Sequence, residues 1–367
     1  MSMWKDDTIM KFIQTILNKQ NKKIKSRNIN LDVIRTFAIL FVICIHFLLY
    51  TGFYEAPVYG IKLEIMVVFR TISIICVPLF LLLTGYLNTK KNWSKKYYLG
   101  IIKILFIYFI CSVICYLYYY HNIGYSILEF FKLLFSFQAA RYSWYVNMYL
   151  GLFLLIPFLN QMYNHLSQKQ KKVFVISVFL VGILPSINLL YTPLIPNYWI
   201  SLWPFSYYFM GMYLKEFSKN YSLKNCAIFF ILILVLSCAI SMVLNYGTQY
   251  HTTFFSDYSS IVTFFLSSSF FLVIIKLKLN ELPRFIRYVF YFISCHSFGM
   301  YLISYVFDKI IYSWIMMKVV NVGDRLYYFI PAVLFVFMSS LVCSFIINIL
   351  YERIIKKGVD SVVYKKC

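Results

Sequence analysis

Arg35 and His46 are the two residues whose types and spacing best suit chemistry inside a membrane. They stand in the run Leu31-Asp32-Val33-Ile34-Arg35 through Ile45-His46, with no other charge among the ten residues between them. An ionisable side chain inside such an apolar run costs roughly a few kcal/mol, which makes it a functional candidate. Histidine exchanges a proton near neutral pH, and arginine is a permanent cation. On a helix, an eleven-residue separation turns about 20° past three full turns and rises about 16.5 Å, so both side chains leave one face. Asp32, three residues before Arg35, lies within about 60° of that stripe and is expected to pair with it. Two plainer readings stay open: Arg35 anchors a helix end by snorkelling, and His46 is a packed residue with one hydrogen bond.

A helix must carry these residues, and composition says what kind. Of 367 residues, 61% are hydrophobic and 13% charged, and the mean hydropathy is +0.73, far from a soluble domain at roughly a quarter charged. Several stretches run about 20 residues with few charges, enough to cross a hydrocarbon core of roughly 30 Å. The period-2 alternation of a barrel is absent, so the expected fold is all-α: a polytopic integral membrane protein of about ten transmembrane helices. The expected spans are 29–51, 63–88, 97–120, 142–163, 172–191, 198–215, 225–246, 256–277, 285–307 and 327–351. Residues 1–28 form a basic segment, 29–351 one membrane domain and 352–367 a basic tail. The connection 121–141 mixes Ile127, Leu128, Phe130, Phe131, Leu133, Leu134 and Phe135 with Glu129 and Lys132, a pattern for an interfacial helix.

The net charge of +22 is distributed along the chain in a way that argues against nucleic acid. With the N-terminus in the cytoplasm, inward segments hold 26 of the 35 Lys and Arg, outward loops hold six, and Arg35, Arg70 and Lys103 fall within spans. That asymmetry predicts both termini in the cytoplasm and a positive surface meeting anionic headgroups. Residues 1–28 lack the apolar region of a cleavable signal. Most cysteines sit inside apolar runs, no C-x-x-C occurs, and the five histidines never share helical spacing, so neither disulfide nor metal chemistry is expected. No nucleotide-binding glycine loop or nucleophile elbow is present, and no internal repeat suggests an inverted-repeat transporter.

Five segments in order carry a resemblance. They are Leu31-Asp32-x-x-Arg35 with Arg35-x10-His46; Val77-Pro78-Leu79-Phe80 with Thr84-Gly85-Tyr86-Leu87; Trp144-Tyr145 through Gly151-Leu152 to Pro157; Tyr207 to Leu214 around Gly211; and Ser297 to Ile303. Together they resemble the acyltransferase family 3 membrane proteins, which O-acylate bacterial surface carbohydrates, in particular the capsule and exopolysaccharide branch. Three departures are visible. Thr84 stands where the family has Ser, Ser304 where many relatives have His, and Lys95, Lys96 and Lys103 where basic positions often carry Arg.

The resemblance implies an O-acetyltransferase of the bacterial plasma membrane. It would move acetyl from cytoplasmic acetyl-CoA to a sugar hydroxyl of a surface polysaccharide or lipid-linked precursor, with no permanently bound cofactor. In that setting Arg35, Lys95, Lys96 and Lys103 would neutralise donor phosphates. His46 would be the base for the hydroxyl, or become acetylated itself. Arg70, near Ser73, would bind the acceptor or polarise the acyl carbonyl, unless it is an ion-pair partner of Glu64. Trp144 and Tyr301 would line the acceptor site, and His296 is read as structural. A lipid-linked saccharide flippase or small-solute transporter fits the composition equally well and is separated from this reading by the ordered motifs.

Overall fold

The structure is a computed structural model that describes residues 27–121, 123–189, 192–193, 196–251 and 257–355. It is built of helices: α1 (Ile29–Tyr50), α2 (Ile61–Ser73), α3 (Cys76–Asn88), α4 (Lys95–Leu99), α5 (Ile101–Tyr120), α6 (Ile127–Phe135), α7 (Trp144–Asn164), α8 (Gln168–Gly182), α9 (Trp203–Phe217), α10 (Leu223–Asn245), α11 (Ile261–Lys276), α12 (Arg284–Lys318) and α13 (Phe329–Ile354). Two two-residue strands, Asn188–Leu189 and Thr192–Pro193, pair antiparallel between α8 and α9. Helix starts are marked by short polar residues. The side chains of Asn28, Ser94, Ser126, Ser167, Ser222 and Ser260 each accept a hydrogen bond from a first-turn N–H. Ser167 and Gln170 complete a reciprocal capping box.

Helix lies under every expected span, but not one helix per span: among the described residues seven helical stretches have the length and hydropathy to cross a membrane. Ile261–Lys276 is apolar but shorter, and α8 and α9 are each 15 residues long. The run expected at 172–191 stops at Gly182 because Pro185 opens a separate 3-10 turn. α12 departs the other way: instead of ending at 307 it runs 35 residues to Lys318. That extension brings Asp308, expected near a helix end, into a buried helix interior.

Two prolines explain local breaks. The expected single helix 63–88 divides at Ile74–Ile75, because Pro78 has no N–H for the carbonyl of Ile74. Pro157 likewise frees the carbonyl of Phe153 within α7. Tyr97 supplies the missing donor, its hydroxyl lying 2.7 Å from that oxygen with its ring stacked on Phe153 at 4.5 Å. Tyr98 donates to Leu154 O at 3.2 Å. Thus α4, the carrier of Lys95 and Lys96, is anchored to a proline-made defect. Tyr97→Phe leaves the carbonyl of Phe153 without its donor, and a lost hydrogen bond of this kind costs about 1 kcal/mol. The expected result is a melting temperature lowered by a few degrees in detergent, and an unchanged melt would remove this anchor.

α1 is buried on nearly every side, packing on α12, α3, α13 and α2, and it is the axis on which the site is built. α10 is its opposite: Ile231, Leu232, Val235, Leu236, Val243 and Leu244 lie exposed, the pattern of a surface facing lipid rather than water. α6 is short, and Ile127, Leu128, Phe131 and Phe135 are exposed on it. α3 and α9 cross with almost no space between backbones: a Cβ on Gly85 would strike the carbonyl of Tyr208, and one on Gly211 the carbonyl of Leu82. Small residues at such a crossing are what membrane helices use to pack. Nearby, Tyr208 Oη donates to Asn160 Oδ1 at 2.6 Å, while Asn160 Nδ2 donates to the carbonyls of Asn88 and Lys91 at 2.6 and 2.7 Å, tying down the loop after α3.

Candidate active site

A cavity of about 400 Å³ opens between α1, α3, α5, α7 and α12, within the usual range for a small-molecule site. Its polar wall holds Arg35, Lys103, Asn88, Thr84, Ser294 and Ser297, and its apolar wall includes Val42, Val77, Phe80 and Ile107. Its lining includes exposed Leu87 and Cys295, at the end that also carries Asn88 and Arg35. Arg35 is half-buried and donates from Nη1 to Ser294 Oγ at 2.8 Å. Asp32 does not pair with it, contrary to expectation. Asp32 turns to Arg27, at 2.7 Å from Nη2 and 3.0 Å from Nε. Arg27 takes the acid because it lies at the helix start, where two donors reach one oxygen. Arg35 is left facing the cavity. Lys103 shares this wall, its ammonium over the Tyr351 ring at 5.6 Å. Lys95 and Lys96 are exposed on α4 and do not line the cavity.

At the deep end stands Tyr301, whose hydroxyl donates to the carbonyl of Tyr142. The Tyr142 ring stacks on His46 with centroids 3.8 Å apart. His46 lies one helical turn beyond Val42 of the cavity wall. Its Nδ1 is 3.1 Å from Asp308 Oδ2, an approach oblique to the ring N–H, since Nδ1 and Asp308 Oδ1 both lack an aligned partner. Tyr142 Oη donates to the same Oδ2 at 2.7 Å. Asp308 is wholly buried and His46 nearly so. A carboxylate against one ring nitrogen restrains the imidazole's orientation and directs Nε2 elsewhere, an arrangement suited to a general base. Asp308 is the residue of this candidate site that sequence reasoning missed. Its one signal was a carboxylate in the apolar run Tyr301–Ile311, and ending the helix at 307 removed that signal.

The remaining expected residues occupy two other places. Arg70 is 3% exposed, with Nε 3.2 Å from Tyr54 Oη and the guanidinium 5.4 Å from the Tyr250 ring centre. No ion pair joins it to Glu64 among the described residues, because six residues of helix turn the two side chains about 120° apart. Trp144 is 42% exposed and stacks on Tyr258 at 5.7 Å, outside the cavity, while its neighbour Tyr145 lines the wall. His296 packs between α12 and α13, with Nδ1 3.0 Å from Asn348 Nδ2.

A many-helix apolar bundle with a cation-lined cavity, and with a buried histidine–carboxylate pair behind the Tyr301 that ends it, describes a multi-pass membrane enzyme; His46 itself does not line the cavity. A family model described as an acyltransferase domain matches residues 28–349. The chain belongs to acyltransferase family 3 and is a membrane acyltransferase. No curated protein matches it, and no solved structure does.

Proposed function

We propose that this acyltransferase moves an acetyl group from acetyl-CoA to a sugar hydroxyl of a surface polysaccharide or its lipid-linked precursor, in the plasma membrane, with both termini in the cytoplasm. The observation that carries the reading is the order of groups along α1: the cavity holds Arg35 and Lys103 and ends at Tyr301, and the His46–Asp308 pair lies directly behind Tyr301 and Tyr142, which must part for donor and base to meet. The charged nucleotide of the donor stays with the cations at the cytoplasmic end, and the thin pantetheine arm enters the apolar channel. Lysines 95 and 96 contribute longer-range attraction from the surface.

The acceptor hydroxyl approaches from the opposite side, past the aromatic residues around Trp144. His46 Nε2 takes its proton as the oxygen attacks the thioester carbonyl. A carbon–oxygen bond forms and the carbon–sulfur bond breaks. The imidazolium, held by Asp308, then returns the proton to the departing thiolate. Transfer through acetylated His46 requires the same residues. Because phosphate contacts contribute mostly uniform binding, Lys103→Gln should raise KM for acetyl-CoA with kcat little changed. Lys95→Gln with Lys96→Gln should raise it less. Steady-state kinetics on purified protein test both, and an unaltered KM in Lys103→Gln argues against donor entry at this cavity.

A further inference from the structure

We infer that the acceptor carries an anionic group, a carboxylate or a phosphate, and that Arg70 with Tyr250 receives it; the inference rests on the acyl-transfer reading for the role of that ligand as acceptor. A buried guanidinium is costly unless its charge and its N–H groups find partners. The chain contains a direct contrast. Buried Arg325 spends its donors on the carbonyls of Thr51, Val319 and Val320 at 2.7, 2.9 and 3.2 Å. Arg70 is as deeply buried, yet no carboxylate pairs with it among the described residues, and its Nη1 has no hydrogen-bond acceptor. The hydroxyl of Tyr250, whose ring lies against the same guanidinium, is also buried without a partner. Two unmatched donors, one of them cationic, thus meet where the Arg70 guanidinium lies over the Tyr250 ring, and an anion with acceptor oxygens satisfies both.

The position suits an acceptor. Ser73 of α2 lies beside Cys44 of α1, and the two helices pack together, joined by the short 51–60 connection. One turn from Ser73 is Arg70; two residues from Cys44, in the same direction along the bundle, is His46. The anion seat and the base are therefore level with one another. Half-buried Tyr54, which accepts from Arg70 Nε, connects the seat to the surface. Beside it, Tyr258 lies 3.9 Å from Cys76 Sγ and is flanked by the rings of Trp144 and Trp203 at 5.7 and 6.1 Å, in near-parallel planes. Flat, partly exposed aromatic faces next to a cation match a pyranose bearing an acid.

The test is a binding titration of the full chain in nanodiscs of zwitterionic lipid, read by tryptophan fluorescence and without acetyl-CoA. The probes are methyl β-glucuronoside, glucose 1-phosphate and the neutral methyl β-glucoside. At least one anionic probe should bind about 10- to 100-fold more tightly than the neutral one, the range set by hydrogen bonds to a charged group. Preference for the glucuronoside identifies a sugar acid, and preference for the phosphate identifies a phosphorylated or lipid-phosphate-linked acceptor. R70Q should bring the anionic probe down to the neutral one, while R70K keeps part of the preference. If R70Q does not fold, Tyr250→Phe should narrow the preference several-fold. Equal binding of all three probes, no binding of any, or an undiminished preference in folded R70Q or Tyr250→Phe overturns the inference. An anionic preference without acyl transfer from acetyl-CoA supports the anion seat and overturns the transfer reading instead.

Discussion

His46→Ala is expected to lose about 10²–10⁴-fold in kcat while acetyl-CoA binds nearly as well, the usual contribution of a positioned general base. The separation of effects follows from the geometry. In the proposed mode the donor's charges would meet Arg35 and Lys103, which line the cavity; Arg35 is three turns of α1 from His46, so truncating the imidazole would touch none of those phosphate contacts. Asp308→Asn keeps the size of the side chain and removes the charge that holds Nδ1. It should lower kcat in the same direction, with KM for acetyl-CoA again little changed. Arg35→Ala should do the reverse and raise KM. The measurement is initial rates with varied acetyl-CoA on variants whose melting behaviour is intact. Near-full activity in His46→Ala would reduce the residue to packing against Tyr142 and end this mechanism.

The largest effect on stability is expected at the crossing of α3 and α9. Gly85→Val or Gly211→Val puts side-chain carbon where a backbone carbonyl already stands. A carbonyl cannot swing aside like the end of a flexible side chain. Overpacking costs about 1–3 kcal/mol even where side chains absorb it, and here the helices must separate. α9 is short and buried, with Tyr207, Tyr208 and Met212 fully enclosed, so the separation opens the centre of the bundle. Each variant should fail to give monodisperse protein or should melt well below the wild type in detergent. Gly151→Ala is the control, since nothing lies near a Cβ there. Wild-type melting of Gly211→Val would mean the helices do not cross this closely.

Much of this was readable from residue order. Helix positions followed from apolar runs, and the Arg35–His46 stripe followed from helical periodicity. The glycines of two motif segments turned out to mark the tightest helix crossing, a role that spacing alone does not reveal. What escaped had long-range causes. Asp32 had two cations within reach, and which one it chose depended on how the segment before α1 docks. Asp308 depended on where α12 ends, and local hydropathy places that end too early because Asp308 and Lys309 adjoin. Lys95, Lys96 and Lys103 were grouped as candidate donor cations, and the structure separates them: Lys103 lines the cavity, while α4, docked through Tyr97 on the carbonyl freed by Pro157, carries Lys95 and Lys96 outside it. The 15-residue α8 and α9 read as ordinary spans because their sequences are apolar, while their lengths are set by Pro185 and by burial.

In the proposed reaction His46 and Asp308, behind the Tyr301 end of the cation-lined cavity, move an acetyl group onto a surface sugar. Its most direct measurement is the O-acetyl content of surface glycan in cells expressing the wild type, His46→Ala, Asp308→Asn or no protein, at matched membrane abundance. The expected result is O-acetyl ester present with the wild type, strongly reduced with Asp308→Asn, and at the level of the protein-free cells with His46→Ala. Equal O-acetyl content in the wild-type and His46→Ala cells, or in cells with and without the protein, would contradict it.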